Sequence, residues 1–135
     1  MQKREFERLV QEAWRQIPAR FRDQVENLAI VVEDEPSPST LRHSGVPPGD
    51  DLLGLYQGIP LTQRPWGYGW TLPDKISLYQ GPIERAARDE SDVARVVYET
   101  LWHELAHYFG MSERQVRASE RRRRRSARMS TERRP

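Results

Sequence analysis

The chain predicts an α+β domain built from a small sheet and one long helix. Short apolar, β-rich runs at 28–32, 52–56 and 76–79 all precede the longest helical pattern, at 91–109. Proline- and glycine-rich stretches separate the runs, in place of the regular helix–strand alternation of a parallel α/β sheet. The expected sheet is therefore mixed or antiparallel, with about three or four strands. Helices are expected at the N-terminus, before the sheet, and at the C-terminus, after the long helix.

Residues 3–16 carry Phe6, Leu9, Val10, Ala13 and Trp14 at three- to four-residue spacing, the stripe of an amphipathic helix with Trp14 in the core. Pro18 ends it, and Phe21, Val25 and Leu28 point to a second short helix over 19–27. Leu28-Ala29-Ile30-Val31-Val32 reads as a buried strand, closed by the solvated acids Glu33, Asp34 and Glu35. Residues 36–50 hold four of the ten prolines and read as an irregular loop. The strand over 52–56 is bent away by Gly58 and Pro60. A further loop over 62–73 centres on Trp66-Gly67-Tyr68-Gly69-Trp70, whose glycines either let backbone and rings approach a ligand or simply shape a turn. Residues 76–79 alternate as the third strand, and 82–88 begin a short helix.

The long helix has Ser91 as its expected N-cap, with Asp92 favouring the positive helix end. Its apolar arc is Val97, Leu101, Leu105 and Tyr108, flanked by Trp102 and Phe109. A last helix is expected through 114–125. Residues 1–118 are expected to form the folded domain, and 119–135 an Arg-rich tail, disordered toward its end. There are no internal repeats.

The charge is segregated. Residues 113–135 hold 10 Arg against 3 Glu, a net +7, while residues 1–112 hold 12 Lys and Arg against 17 Asp and Glu, a net −5. No apolar run approaches the ~18–20 residues of a membrane-spanning helix, and the first residues carry acids where a signal peptide needs an apolar stretch. The chain has no cysteine, hence no disulfide and no thiolate ligand. A cytoplasmic protein with no membrane partner is the expectation; the oligomeric state is left open.

Two of the three histidines fall in the string His103-Glu104-Leu105-Ala106-His107, which has the form H-E-x-x-H. Residues four apart on a helix differ by only ~40° around its axis, so both imidazoles project from one face and can chelate one metal ion. On the helical wheel they lie roughly opposite the apolar arc. Glu104, beside the first histidine, is placed to take a proton from water. A catalytic zinc usually takes three protein ligands. Gly110 is a natural helix-ending residue, and a turn there swings Glu113 back toward the histidines. The full string is then H-E-x-x-H-x-x-G-x-x-E, the metzincin spacing with Glu in place of the last histidine. Glu113 is the favoured third ligand and His43, in the proline-rich loop, is its rival.

Four stretches together resemble a known family. They are Val32 through Pro36, Leu53-Gly54-Leu55-Tyr56-Gln57-Gly58-Ile59-Pro60-Leu61, Pro73 through Tyr79, and His103 through Glu113. The chain resembles the small bacterial zincin-like metallopeptidases, also called minimal zincins and compared with minigluzincins, over nearly all of residues 1–115. The zinc signature is shared by many families, whereas the Leu-Tyr-Gln-Gly-Ile-Pro-Leu string is far more specific. The resemblance implies a zincin-like fold and a zinc site, and leaves the substrate undefined. The family's third ligand position usually carries Asp, and Glu113 keeps the carboxylate on an arm one methylene longer.

The expected activity is hydrolysis of peptide bonds in a peptide or protein substrate, with one Zn2+ per chain and Glu104 as general base. Tyr56, Tyr68, Arg64 and His43 are candidates for substrate contact or transition-state stabilisation. The chain ends soon after the third ligand, so the expected cleft is shallow, with substrate extended along a sheet edge and activity weak or narrow. The alternative is a nucleic-acid-associated protein that binds phosphates, or another acidic partner, through Arg121-Arg122-Arg123-Arg124-Arg125, its zinc site structural or vestigial.

Overall fold

The computed structural model describes residues 1–63 and 73–111, together with Arg114, Ala118 and Arg121. In chain order the elements are helices α1 (Lys3–Gln16) and α2 (Ala19–Arg22), strand β1 (Leu28–Glu33), helix α3 (Pro38–Ser44), strand β2 (Gly54–Gln57), strand β3 (Asp74–Tyr79), and helices α4 (Gln80–Ala86) and α5 (Val93–Tyr108). Short 3-10 turns lie at Leu61–Gln63 and Glu90–Asp92. Arg114, Ala118 and Arg121 are helical, in agreement with the expected C-terminal helix at those positions.

The three strands form one mixed sheet in the order β1-β3-β2. β1 runs parallel to β3, from Leu28 opposite Asp74 to Glu33 opposite Tyr79. β2 runs antiparallel to β3, from Gly54 opposite Leu78 to Gln57 opposite Lys75. The apolar run of β1 reads as a buried strand. Instead β1 is an edge strand and all its residues are half-buried, because the central position falls to β3. There Ile76 and Leu78 lie on one face and Ser77 and Tyr79 on the other, and all four are buried.

One core joins the sheet to the helices. Phe6, Val10, Ala13 and Ile17 from the α1 region meet Val97, Leu101, Trp102 and Leu105 of α5 over Ile76 and Leu78. Burying each of the larger side chains contributes roughly 1.5–3 kcal/mol. Trp14 is only half-buried and packs on the margin of this core. Tyr108 fixes the end of α5 to the chain entering β1, since its hydroxyl accepts the Glu26 N–H at 2.9 Å and donates to the Glu26 carbonyl at 3.0 Å.

Other expectations shift at their edges. The helix expected over 19–27 is confined to α2, because the chain must turn through Asn27, at φ +50°, to enter β1. The stretch at 36–50 is not wholly irregular. Ser37 caps α3 by accepting the Thr40 N–H at 3.1 Å, Pro38 opens it, and Gly45 ends it at φ +81°. The long helix starts at Val93 and Ser91 is not its cap. Asp89 caps the preceding turn instead, accepting both the Asp92 N–H and the Ser91 hydroxyl. No helix among the described residues is long and apolar enough to cross a membrane.

Arg85 on α4 clamps the connections on either side of α3. Its Nη1 and Nη2 donate to Glu35 at 2.6 and 3.0 Å, and its Nε and Nη2 to Asp51 at 2.9 and 3.0 Å. These bonds hold the Glu35 and Asp51 carboxyls below their ordinary values of 4.5 and 3.8. A depressed folded-state pKa contributes stability above the unfolded value, and that contribution is lost as pH falls through the lowered one. The groups are half-exposed, so the effect is modest and salt-sensitive. The Tm difference between wild type and Arg85→Ala is therefore expected to be largest near neutral pH. It should shrink as pH falls below about 4.5 and as salt is added. An equal difference at both ends of a thermal-melt pH series would rule the clamp out as its source.

Candidate metal centre

The last two turns of α5 carry His103, Glu104 and His107. The helix is oriented by its other side, where Val97, Leu101, Leu105 and Tyr108 are fully buried, as the apolar arc predicted. That leaves the histidines half-buried at the surface of the site. Their ring centroids lie 4.8 Å apart at 67° to one another. The metal-capable atoms of His103, Glu104 and His107 all lie within 4.8 Å of each other. Nδ1 of His107 is 3.6 Å from Oε1 of Glu104.

Two imidazole nitrogens bound to one tetrahedral zinc at about 2.0–2.1 Å stand roughly 3.4 Å apart. Rings one helical turn apart, 4.8 Å between centroids, can meet that spacing by toeing inward. Two imidazoles and a carboxylate also suit zinc, and equally iron(II), in donor type. The residues present thus fit the ion.

Glu104 is 7 % exposed, which marks it off from most acids of the chain. It lies between α5 and the outer edge of β2, and its Oε1 accepts the Tyr56 backbone N–H at 2.9 Å. A cleft of about 400 Å³ runs from this point along α5, between residues 52–54 and the side chains of Val96, Thr100 and His103.

Gly110 ends α5 as expected. It sits at φ +76° and its N–H bonds to the His107 carbonyl at 2.9 Å, while the Met111 N–H reaches back to the Ala106 carbonyl at 2.9 Å. A Cβ on Gly110 would collide with the side chain of Thr62. The turn after β2 and the end of α5 are thereby packed together.

The remaining candidates separate. His43 is exposed on α3, with Nδ1 2.7 Å from the Ser39 carbonyl, and it does not join the metal-capable group found among the described residues. Tyr56 lies next to Glu104, but its hydroxyl donates to Asp74 at 2.6 Å, so its backbone amide is the group that reaches the site. Glu113, Arg64 and Tyr68 lie outside the described residues, as do Arg122 through Arg125. Three contributors were not singled out from sequence as site residues. They are Gly54, buried where β2 meets α5; Thr100, which it faces; and Asp74, buried beneath Tyr56. A signal for the first existed, since a glycine inside a strand pattern often marks a close approach of backbone.

The fold and this site lead to a family. A family model described as zincin-like metallopeptidase matches residues 25–123, and the chain belongs to that family. A conserved hypothetical protein of solved structure from Thermus thermophilus is similar, with 28% sequence identity and a TM-score of 0.55 over 81% of this chain and 94% of that one. No match is found among curated proteins.

Gly110→Ala is expected to destabilise the fold by about 1–2 kcal/mol from the left-handed backbone alone, with the encounter with Thr62 adding to it. Urea denaturation measures this. An unchanged midpoint would show that the turn does not hold the helix end.

Proposed function

We propose that the protein is a zinc-dependent peptidase in which His103, His107 and Glu113 hold about one zinc ion per chain and Glu104 is the general base. The observation that carries this reading is the pair of imidazoles one turn apart with a buried carboxylate beside them at the edge of β2. When bound, the ion polarises the substrate carbonyl and makes water acidic near neutral pH.

The chain's own residues supply the rest. His103 and His107 fix the position of the ion from a helix whose opposite face is locked in the core. Glu104 takes a proton from water at a carboxylate oxygen as the hydroxyl adds to the carbonyl carbon. It returns that proton to the amide nitrogen as the C–N bond breaks. The cleft beside β2 receives an extended peptide, and its openness fits weak or narrow activity. Glu113 makes the site less positive than a third histidine would, which moderates the acidity of the water. The proposed catalytic domain spans residues 1–118, in a cytoplasmic protein, with residues 119–135 as a tail.

Mass spectrometry of purified protein should find about one zinc per chain, largely lost in Glu113→Ala. Glu104→Gln should keep zinc while peptide hydrolysis falls by roughly 100-fold or more. Full activity in that variant removes Glu104 as base, and a folded wild type that takes up no zinc removes the reading itself. Zinc retained by Glu113→Ala reassigns the third ligand.

The charge segregation favours a second role beside the first. The tail's eight Arg against two Glu, a net +6, support non-specific contact with nucleic-acid phosphates. Binding to single-stranded oligonucleotides should fall steeply with salt and vanish when residues 119–135 are deleted. Salt-independent binding, or binding that survives the deletion, counts against it.

A further inference from the structure

Glu104 is held from outside its own helix. β2 lies at the sheet edge, and its residues alternate between facing β3 and facing outward. The Leu53 carbonyl accepts the Tyr79 N–H at 2.9 Å, so positions 53, 55 and 57 direct their backbone groups at β3. Gly54 and Tyr56 therefore turn theirs outward. The outward amide of Tyr56 is the one that donates to Glu104 Oε1, at 2.9 Å.

Two features bring this amide into reach and keep it there. The first is Gly54. A Cβ at this position would lie 2.8 Å from Thr100 Cγ2, 3.1 Å from the Ser77 carbonyl oxygen and 3.3 Å from Glu104 Cγ. Space, and not an unusual backbone angle, demands the glycine, since its φ is outside the left-handed region. Any side chain here forces a shift where β2 meets α5, beside the point at which the amide meets the carboxylate. The second is the side chain of Tyr56. Its hydroxyl is bonded to the buried Asp74, and its ring packs edge-on against Tyr108, centroids 5.9 Å apart. With its ring anchored at both points, Tyr56 presents a fixed donor.

We propose that the Tyr56 main-chain amide is a positioning donor for the general base, with Gly54 the residue that makes the contact possible. One oxygen of Glu104 is tethered to the strand edge, and the other is left to exchange a proton with water. Tethering removes carboxylate rotamers that point away from the reacting groups, a contribution of the orientational kind. Gly54 acts only through Glu104 and is a positioning residue. The catalytic half of the inference rests on the peptidase reading; the geometric half does not.

Because the donor is main chain, the test works through its neighbours. Backbone amide hydrogen exchange is measured on the metal-free full chain for wild type, Glu104→Ala, Gly54→Ala, and Gly54→Ala combined with Thr100→Ser, which removes the Cγ2 that the new methyl would meet. The Tyr56 amide should exchange at least about tenfold faster in Glu104→Ala and in Gly54→Ala, while Leu55 and Gln57 stay within about twofold of wild type. The double variant should recover much of the protection. In the zinc-loaded enzyme, Gly54→Ala should lower kcat by about 10–100-fold with KM within about twofold and zinc content unchanged, and the double variant should regain part of the rate.

An unaltered Tyr56 amide in Glu104→Ala overturns the proposal. So does a Gly54→Ala that speeds exchange at Leu55 and Gln57 alike and moves kcat and KM together, the mark of a merely structural glycine. Faster Tyr56 exchange with an unchanged kcat overturns the catalytic half. If Gly54→Ala does not fold, Glu104→Asp, which withdraws the carboxylate by one methylene, supplies the same reading at Tyr56. A wild type that cleaves no peptide sinks the peptidase reading, and the exchange pattern still decides whether Tyr56 holds Glu104.

Discussion

The structure depends on one helix serving two masters. α5 must bury Val97, Leu101, Leu105 and Tyr108 while keeping His103 and His107 at a surface where a metal could reach them. Each residue advances ~100° around a helix, so a rotation by a single position would carry the histidines away from the site. The aromatic cluster at its end fixes that rotation. Trp102 meets Phe21 edge-on at 5.0 Å, and Phe21 in turn meets Phe109 at 5.7 Å. α1, which lies against α5, and the sheet complete the burial of the apolar face. The core therefore does more than stabilise the domain: it sets the direction in which two imidazoles point.

Around that helix short ties join the described elements to one another. Arg85 joins the chain after β1 to the chain before β2. Gly110 packs on Thr62, bringing the turn beyond β2 against the end of α5. Tyr108 bonds to both backbone groups of Glu26 at the entrance to β1. A domain of this size has a modest core, so local hydrogen bonds carry a larger share of the positioning. The result is a cleft along α5 with a well-held carboxylate at its end.

Much of this could be read from residue order, wherever a local rule applied. The periodicity of Phe6, Val10 and Ala13 marks α1, and the arc through Tyr108 marks α5. Gly110 is legible as a helix end because only a residue free of Cβ strain takes φ +76° there without cost. The H-E-x-x-H spacing places two histidines on one face for the same reason of helical geometry. Even α3 had its signals, in Ser37, Pro38 and Gly45, which were obscured by the density of prolines around them.

What residue order could not supply were neighbours. The run at β1 is the more continuously apolar, and β3 nonetheless takes the centre of the sheet, so the runs by themselves do not say which strand is central. The answer depends on pairing between residues more than forty positions apart. Tyr56 reads as a hydroxyl near a metal site, yet the fold commits that hydroxyl to Asp74 and turns the backbone amide to Glu104. Gly54 reads as a weak point in a strand, and becomes the place where strand and helix touch. Spacing along a single segment was enough to define the main helices, the pair of histidines and the acid between them, because a helix relates its own residues by a constant rotation. How that acid is buried and held came from the fold, because its partners belong to a separate strand whose approach is set by packing.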